Sequence, residues 1–318
     1  MGQARDLLEH RQIAIYFCAI IAAAAFAWFL PGTSRLEGFI NPALALMLYV
    51  TFLQVPMAQL RQALGNMRFL SALLIANFVV IPALVAALLP MVPHDPMIRL
   101  GVLFVLLTPC IDYVVTFAQL GRADARLLLA ATPSLLIVQM LLLPAYLILF
   151  LGADAAGLVE PGPFIHAFVW LIALPLILAA LTQYWAGRRP LGTRITNGLG
   201  LLPVPATALV MFIVIAAVMP QIGSTIDTAL RVIPIYVAFA LLAPALGWCV
   251  ARRFNLQSPA ARAVAFSSGT RNSLVVLPLA LAVPGAMPIL PVVIVTQTLV
   301  ELVSQLVYVR VMPRLGRG

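Results

Sequence analysis

A chain of 318 residues with 63% hydrophobic and only 9% charged residues has too much apolar surface to bury in a soluble fold. The composition therefore predicts an all-α polytopic membrane protein. The net charge of +9 comes from arginines spread between apolar runs, and this spread excludes the basic patch of a nucleic-acid-binding protein.

Motifs for catalysis and metal binding are absent from the sequence. Cys18, Cys110 and Cys249 lie in separate apolar segments, which argues against a disulfide framework or a zinc site. The sequence has no G-x-x-x-x-G-K-[ST] motif for binding nucleotide phosphates, no nucleophile–base motif and no cluster of metal ligands. We therefore expect no cofactor, no bound metal and no enzymatic activity.

Ten apolar segments, each near the about 20 residues that cross a bilayer, follow one another along the chain. They are 12–30, 39–56, 69–90, 97–119, 126–151, 163–186, 195–219, 229–251, 259–283 and 288–311. Arginines cluster in every second connection, at Arg5, Arg11, Arg61, Arg68, Arg122, Arg126, Arg188, Arg189, Arg194, Arg252, Arg253, Arg262, Arg310, Arg314 and Arg317. Because positively charged loops stay in the cytoplasm, this pattern predicts a ten-span protein of the cytoplasmic (inner or plasma) membrane with both termini cytoplasmic.

The connection near 152–162 divides the predicted spans five and five. An odd number of spans in each half places the second half upside down in the membrane, as in the inverted repeats of many secondary transporters. We therefore predict a first inverted repeat over 1–155 and a second over 156–318.

Spans four and nine each contain polar residues and a helix breaker near their middle. Span four carries Thr108 to Tyr113, with Pro109 as the breaker, and span nine carries Ser268 to Ser273, with Gly269. Two interrupted spans in matching positions of two halves are the strongest sequence indication of a transport site. The sequence thus predicts a two-part site built from both breaks.

Arg271 places a positive charge inside span nine, where it is costly unless it faces protein or water. Near the start of the second half-helix it favours an anion or an oxygen-rich solute, with Thr270, Asn272 and Ser273 as further solute-binding residues. The alternative is that Arg271 pairs with Asp112 and locks the two breaks together. The two interpretations are compatible.

Cys110 follows the breaker of span four. A lone buried cysteine is most often a small apolar side chain. At a helix break, however, its thiol is also a candidate ligand for a soft, thiophilic solute such as trivalent arsenic.

The candidates for ion coupling are Asp112, Glu301 and Gln297. Asp112 has three alternative interpretations. It is a proton or cation site, a partner of Arg271, or a capping residue where the helix restarts after Pro109. Gln297, Glu301 and Gln305 are spaced four residues apart and predict one polar stripe on span ten. That stripe either carries a coupling proton on Glu301 or forms a structural ladder of hydrogen bonds between helices.

The two breaks and their flanks resemble a known family of transporters. Thr108–Asp112 followed by Leu120–Asp124 resembles the fourth helix of arsenite efflux permeases, and Ala265–Ser273 resembles the broken ninth helix of the bile acid:sodium symporter superfamily to which those permeases belong. The resemblance implies that helices four and nine are broken and cross. It also implies a core domain of spans 3–5 and 8–10, a panel domain of spans 1, 2, 6 and 7, and alternating access by movement of the two domains.

The sequence departs from the family pattern at three positions. Ser267 and Arg271 match a sodium-binding glutamate and a glutamine of the bile acid branch, and Leu274 matches a glutamate of the arsenite branch. The cysteine of the arsenite branch is retained as Cys110. The resemblance is therefore strongest to arsenic-resistance proteins, without their full set of coupling residues.

The function predicted from these observations is secondary active transport, namely proton-coupled efflux of arsenite or a related small oxyanion. The first alternative is sodium- or proton-coupled uptake of an organic anion, such as a bile acid or another carboxylate. A membrane sensor or enzyme is the second alternative. The sequence makes no prediction about the oligomeric state.

Overall fold

The computed structural model of the chain is helical throughout and contains no β-strand within the residues that it describes, which are 2–54, 65–111, 113–152, 162, 165–166, 169–281, 283, 285 and 289–316. The helices are α1 (Gly2–Phe29), α2 (Ile40–Phe52), α3 (Met67–Ile75), α4 (Ile81–Leu88), α5 (Pro96–Leu106), α6 (Val114–Leu120), α7 (Ala125–Leu151), α8 (Leu174–Ala186), α9 (Pro190–Leu199), α10 (Pro203–Arg253), α11 (Ser258–Gly269), α12 (Ser273–Leu281) and α13 (Ile289–Val311).

Three helix starts follow directly from capping residues in the sequence. Asn66, Asp95 and Asp124 precede α3, α5 and α7, and each side-chain oxygen accepts backbone N–H groups of the first turn at 2.8–3.1 Å. Such caps satisfy donors that a helix cannot pair internally and contribute about 1 kcal/mol each.

Irregular turns interrupt some of the helices within the described residues, and one of these turns is π-helical at Val169–Ala173, directly before α8. A π-helical turn at Ala76–Val80 joins α3 to α4. The segment α10 consists of two helices that meet at Thr225, whose φ of −131° and ψ of 18° are not helical. Each irregularity keeps the polypeptide largely helical, as an apolar environment requires.

Within the described part of the chain, six helical segments are long and apolar enough to cross a membrane. They are Arg11–Phe29, Met67–Met91, Ala125–Leu151, Pro203–Pro220, Thr225–Arg253 and Ile289–Arg314, and the shorter apolar helices Pro96–Leu106 and Leu174–Ala186 accompany them. Large apolar side chains such as Trp28, Leu141 and Leu149 are more than two-thirds exposed, as on lipid-facing helices. The predicted all-helical, multi-pass membrane protein is confirmed, whereas the number of ten spans, the inverted repeats and the orientation of the termini stay predictions.

The chain divides into two compact units. The first comprises Met1–Met57 and Pro161–Thr225. Within it, α2 and α8 are joined by a hydrogen bond of 3.0 Å between the hydroxyls of Tyr49 and Thr182. The side chain of Gln183 also donates to the carbonyl of Phe52 at the end of α2, at 3.1 Å.

The second unit comprises Ala58–Glu160 and Ile226–Gly318 and contains both predicted helix breaks. Its centre is α13, where Gln297, Glu301 and Gln305 are buried together with the apolar side chains around them. Tyr236 of α10 donates to the carbonyl of Val293 on α13 at 3.1 Å. This unit therefore contains the polar residues that the sequence singled out.

Gly101 lets α5 approach α13 closely, and we expect a larger residue there to destabilise the protein. A Cβ atom at Gly101 would lie 2.8 Å from Cγ1 of Val293. Gly101→Leu should therefore force the two helices apart at a cost of about 1–3 kcal/mol. Thermal unfolding in detergent should show a lowered Tm.

The matched control is Gly198→Leu in α9, because a Cβ there meets nothing within 4 Å. Its Tm should stay at or slightly above that of the wild type, since leucine favours the helix. Equal Tm values for the two variants would contradict the proposed close packing.

Candidate functional site: a crossing of two broken helices

The first break separates α5 from α6. Pro109 has no N–H to continue the helical ladder, so α5 ends at Leu106. The Thr108 hydroxyl donates to the carbonyls of Phe104 at 2.8 Å and Val105 at 3.0 Å, and the Thr108 backbone N–H also donates to the Val105 carbonyl at 3.2 Å. The Thr108 side chain thus provides a local hydrogen-bond donor for carbonyl groups in the last turn of α5.

The second break separates α11 from α12. Thr270 has the extended backbone angles φ −116° and ψ 126°, and its hydroxyl donates to the carbonyl of Phe266 at 2.6 Å. Gly269 leaves room for the Tyr308 ring, since a Cβ there would lie 3.0 Å from Cε2 of that tyrosine. The helix α11 therefore ends at Gly269, where the backbone becomes extended and the chain packs closely against Tyr308.

The two breaks cross and pair through their main chains. The Cys110 N–H donates to the Thr270 carbonyl at 3.0 Å, and the Asn272 N–H donates to the Thr108 carbonyl at 2.9 Å. Pro109 and Arg271 face each other in an isolated antiparallel bridge. These bonds pair groups that the broken helices release, and an unpaired group would cost several kcal/mol at membrane depth.

Arg271 is fully buried at this crossing, with 0% of its side chain exposed. Its Nη2 donates to Oδ1 of Asn77 at 2.8 Å and to the carbonyls of Ser267 at 2.6 Å and Ser268 at 2.8 Å. Nη1 donates to the carbonyl of Leu106 at 3.3 Å. Neutral oxygens from three segments therefore solvate the guanidinium.

Phe239 of α10 covers the same guanidinium, whose Cζ lies 5.5 Å from the ring centroid. A cation over an aromatic face gains about 0.5–2 kcal/mol. The Nε atom of Arg271 has no hydrogen-bond partner within the described part of the chain.

The predicted stripe on α13 contacts the second break in register. Gln297 accepts from the Ser273 hydroxyl at 2.8 Å, Glu301 accepts from the Arg271 backbone N–H at 2.7 Å, and Gln305 donates to the Thr270 hydroxyl at 2.8 Å. Three residues at successive helical turns thus hold three residues of the break. The ladder of hydrogen bonds that the sequence offered as one alternative is present.

Glu301 has two further donors besides the Arg271 N–H. The Tyr113 hydroxyl donates to Oε1 at 2.6 Å, and the Gln297 amide donates to Oε2 at 2.6 Å. The Tyr113 hydroxyl also lies 3.3 Å from the Arg271 carbonyl oxygen. Glu301 therefore contacts both breaks at once.

The structure brings most of the predicted site residues together. Cys110, Thr270, Arg271, Asn272 and Ser273 all lie at the crossing and are at most 1% exposed. Asp112 is outside the residues that the structure describes. The two cysteines without a predicted role, Cys18 and Cys249, are exposed.

Two polar residues of the site were missed or undervalued in the sequence. Asn77 of span three binds the Arg271 guanidinium and donates to the Ser267 hydroxyl at 3.0 Å. A single amide in an otherwise apolar span was the signal for it. Tyr113 was part of the polar stretch in span four, but nothing in its spacing indicated that it reaches Glu301.

A cavity of about 10 Å³ borders the site, which is room for about one water molecule. Its walls include Gly269, Gln297 and Glu301 as well as Tyr236 and Phe239. The second break and the polar stripe thus border the same small cavity.

We expect Asn77→Leu to destabilise the protein strongly. Leucine has the same number and branching of heavy atoms as asparagine, although it is larger, and it removes the amide that accepts from Nη2 of Arg271 at 2.8 Å. Losing a hydrogen bond to a charged group costs about 1.5–3 kcal/mol. Thermal unfolding should show a Tm several degrees below that of the wild type.

Gln139→Leu is the matched control. Gln139 is 1% exposed, and neither polar atom of its side chain has a partner among the described residues. Removing this amide should leave the Tm unchanged or raise it. A similar loss of Tm in both variants would show that Asn77 contributes only volume.

Comparison with known proteins gives one family. The model of the sodium bile acid symporter family matches residues 41–227, which is more than half of the chain. No curated protein matches the sequence. The matched region includes the first break with Cys110 and Tyr113, and the helices are those of a multi-pass membrane protein. The chain therefore belongs to the sodium bile acid symporter family, a family of membrane transporters.

Proposed function

We propose that the protein is a secondary active transporter that moves a small solute past the crossing of its two broken helices by alternating access. The observation that carries the proposal is the crossing itself, where a fully buried arginine, a buried thiol and paired main chains meet. Irregular backbone at membrane depth is tolerated where it serves a buried site. Family membership supports the same function.

For the solute we propose arsenite or a related small oxyanion, and for the direction we propose export. Cys110 supports this choice, because its fully buried thiol lies at the crossing and soft ligands prefer thiophilic solutes. Asn272 supports it as well. Its Nδ2 has no hydrogen-bond partner among the described residues, so it offers a donor to an oxygen atom of the solute.

Arg271 contributes mainly through its charge. The guanidinium already donates to four protein oxygens and is thereby fixed in place. A fixed buried charge favours an anionic or oxygen-rich solute at the crossing without having to leave its own partners. Thr270 and Ser273 lie beside it and complete the polar surroundings.

The coupling ion has two candidates. The family favours sodium. We propose a proton carried by Glu301, because this carboxylate holds the second break through the Arg271 N–H and is buried to 2% exposure. Gln297 orients Glu301, and Asp112 stays a second proposed coupling residue.

The proposed movement is that of a core of spans 3–5 and 8–10 against a panel of spans 1, 2, 6 and 7. The two compact units of the chain support this division. The proposed inverted repeats, 1–155 and 156–318, are supported by the presence of one helix break in each half.

Arsenite flux in proteoliposomes tests the solute. We expect saturable efflux in the wild type and at least a roughly tenfold loss in Cys110→Ser, since a serine oxygen is a harder ligand than a thiol. Cys249→Ser, which removes an exposed cysteine, is the control and should keep wild-type flux.

Organic anion uptake is the alternative, and the name of the family favours it. Sodium-dependent uptake of a bile acid that is unaffected by Cys110→Ser, together with no arsenite flux, would replace the proposed solute. Organic anion binding would then rest on Arg271 and Asn272.

Imposed ion gradients test the coupling. In sodium-free liposomes a proton gradient should drive flux by the wild type but not by Glu301→Gln, because glutamine keeps the shape of the side chain and cannot bind a proton. A sodium gradient that drives equal flux in both proteins would exclude Glu301 from coupling and assign the sodium ion to another site.

A further inference from the structure

We propose that Tyr113 acts as a hydroxyl relay, by which we mean that its hydroxyl hydrogen turns between two acceptors. This turn lets Glu301 gain and lose one proton without any rearrangement of the crossing. The proposal rests on the coupling role proposed for Glu301 and adds the group that makes such a role possible. It follows from the positions of three oxygen atoms, namely Oε1 of Glu301, the Tyr113 hydroxyl and the Arg271 carbonyl.

The ionised carboxylate is matched to its surroundings. Its three neighbours, the Arg271 N–H, the Gln297 amide and the Tyr113 hydroxyl, all act as donors at 2.6–2.7 Å. Hydrogen bonds to a charged acceptor are the strong ones and contribute to holding both breaks. In this state the tyrosine hydrogen points to Glu301.

A protonated Glu301 would need an acceptor for its new hydrogen. The amide N–H groups of Arg271 and Gln297 occupy Oε2 and cannot accept. The Tyr113 oxygen can, because a phenolic hydroxyl is both donor and acceptor. The proton therefore belongs on Oε1, directed at Tyr113.

The Tyr113 hydrogen must then turn to another acceptor, and the Arg271 carbonyl provides it. This oxygen lies 3.3 Å from the hydroxyl. Rotation about the phenolic C–O bond turns the Tyr113 hydrogen away from Glu301 and towards this carbonyl. Glu301 can then hold one added proton, no heavy atom moves, and each of the three oxygen atoms keeps a hydrogen-bond partner. The hydrogen bonds from Tyr113 to Glu301 and to the Arg271 carbonyl thus serve the two protonation states in turn.

The relay also links the proton to the helix breaks. Tyr113 lies at the start of α6 after the first break, and its second acceptor is a carbonyl of the second break. When Glu301 is neutral, the Tyr113–Arg271 bond offsets the weaker hydrogen bonds that the uncharged carboxyl accepts. When Glu301 is ionised, the Tyr113 hydroxyl donates instead to Oε1 of Glu301 on α13. The protonation of Glu301 therefore decides whether the Tyr113 hydroxyl donates to the second break or to α13, while the Tyr113 oxygen stays bonded to Glu301 in both states.

Other ionisable groups surround Tyr113 and Glu301, and the measurement must distinguish their titration from that of Glu301. Arg271 contacts Glu301 directly, and Cys110 pairs with Thr270 at the crossing. Tyr308 packs beside Gly269, and Tyr236 lines the shared cavity. Asp112 is adjacent in sequence and outside the described residues. An Asp112→Asn background removes the second carboxyl from the measurement.

Infrared difference spectroscopy of the purified full chain tests the proton site directly and requires no transport. In the Asp112→Asn background, changing the pH should produce a carboxylic acid band that is absent when Glu301→Gln is added. A spectrum without any band dependent on Glu301, over the pH range in which the protein stays folded, would overturn the proposal. Since the readout is independent of flux, a failed transport assay leaves this result unaffected.

Hydrogen exchange of the 270–273 amides tests the relay. With Tyr113 present, the exchange rates, corrected for their intrinsic pH dependence, should not change as Glu301 titrates. In Tyr113→Phe the neutral carboxyl loses the acceptor that Tyr113 provides, so protonation should disturb the crossing and raise exchange at least about fivefold at low pH.

Tyr308→Phe is the matched control, because this buried hydroxyl donates to the Ala240 carbonyl. It should leave the pH-independent exchange of the wild type intact. If Tyr113→Phe also shows pH-independent exchange, Tyr113 is not a relay.

Discussion

The pairing of two broken helices through main-chain hydrogen bonds is the constraint on which the rest of the second unit depends. Each break releases N–H and C=O groups that water cannot satisfy at membrane depth. The bonds from Cys110 to Thr270 and from Asn272 to Thr108 pair these groups across the crossing. Once the two broken segments are fixed in this way, the positions of Cys110 and Arg271 follow, since both residues belong to the paired segments. A transport site built here is therefore as rigid as the crossing.

The charges at the crossing are stabilised by dipoles. The Arg271 guanidinium donates to four neutral oxygens, and the Glu301 carboxylate accepts from an amide N–H, a side-chain amide and a hydroxyl. Oriented dipoles of this kind replace water around a buried charge. Because Glu301 binds the Arg271 backbone N–H, the guanidinium keeps its own N–H groups for neutral oxygens. The unbroken helix α13 carries this carboxylate and, with Gln297 and Gln305 on the same face, supports the broken helices along three turns.

The sequence predicted the class of protein and the positions of the two helix breaks at the candidate site for simple physical reasons. A composition with 63% hydrophobic residues is compatible only with a membrane, and the helix breakers Pro109 and Gly269 mark where spans four and nine stop. The spacing of Gln297, Glu301 and Gln305 predicted a single polar face, because residues four apart lie on one side of a helix. Local rules of this kind need no knowledge of neighbouring helices.

The partners of these residues were decided only by the tertiary structure. Asn77 is nearly 200 residues from Arg271 in the chain and meets it because α3 and α11 pack together. Tyr113 likewise meets Glu301 across 188 residues. Periodicity specifies which face of a helix is polar, but not which atom on another helix will face it. The sequence by itself therefore determined that a charged, broken pair of spans exists. The packing of the second unit decided that its arginine is held by neutral oxygens and that its glutamate holds both breaks, because only close packing brings donors and acceptors within hydrogen-bonding distance.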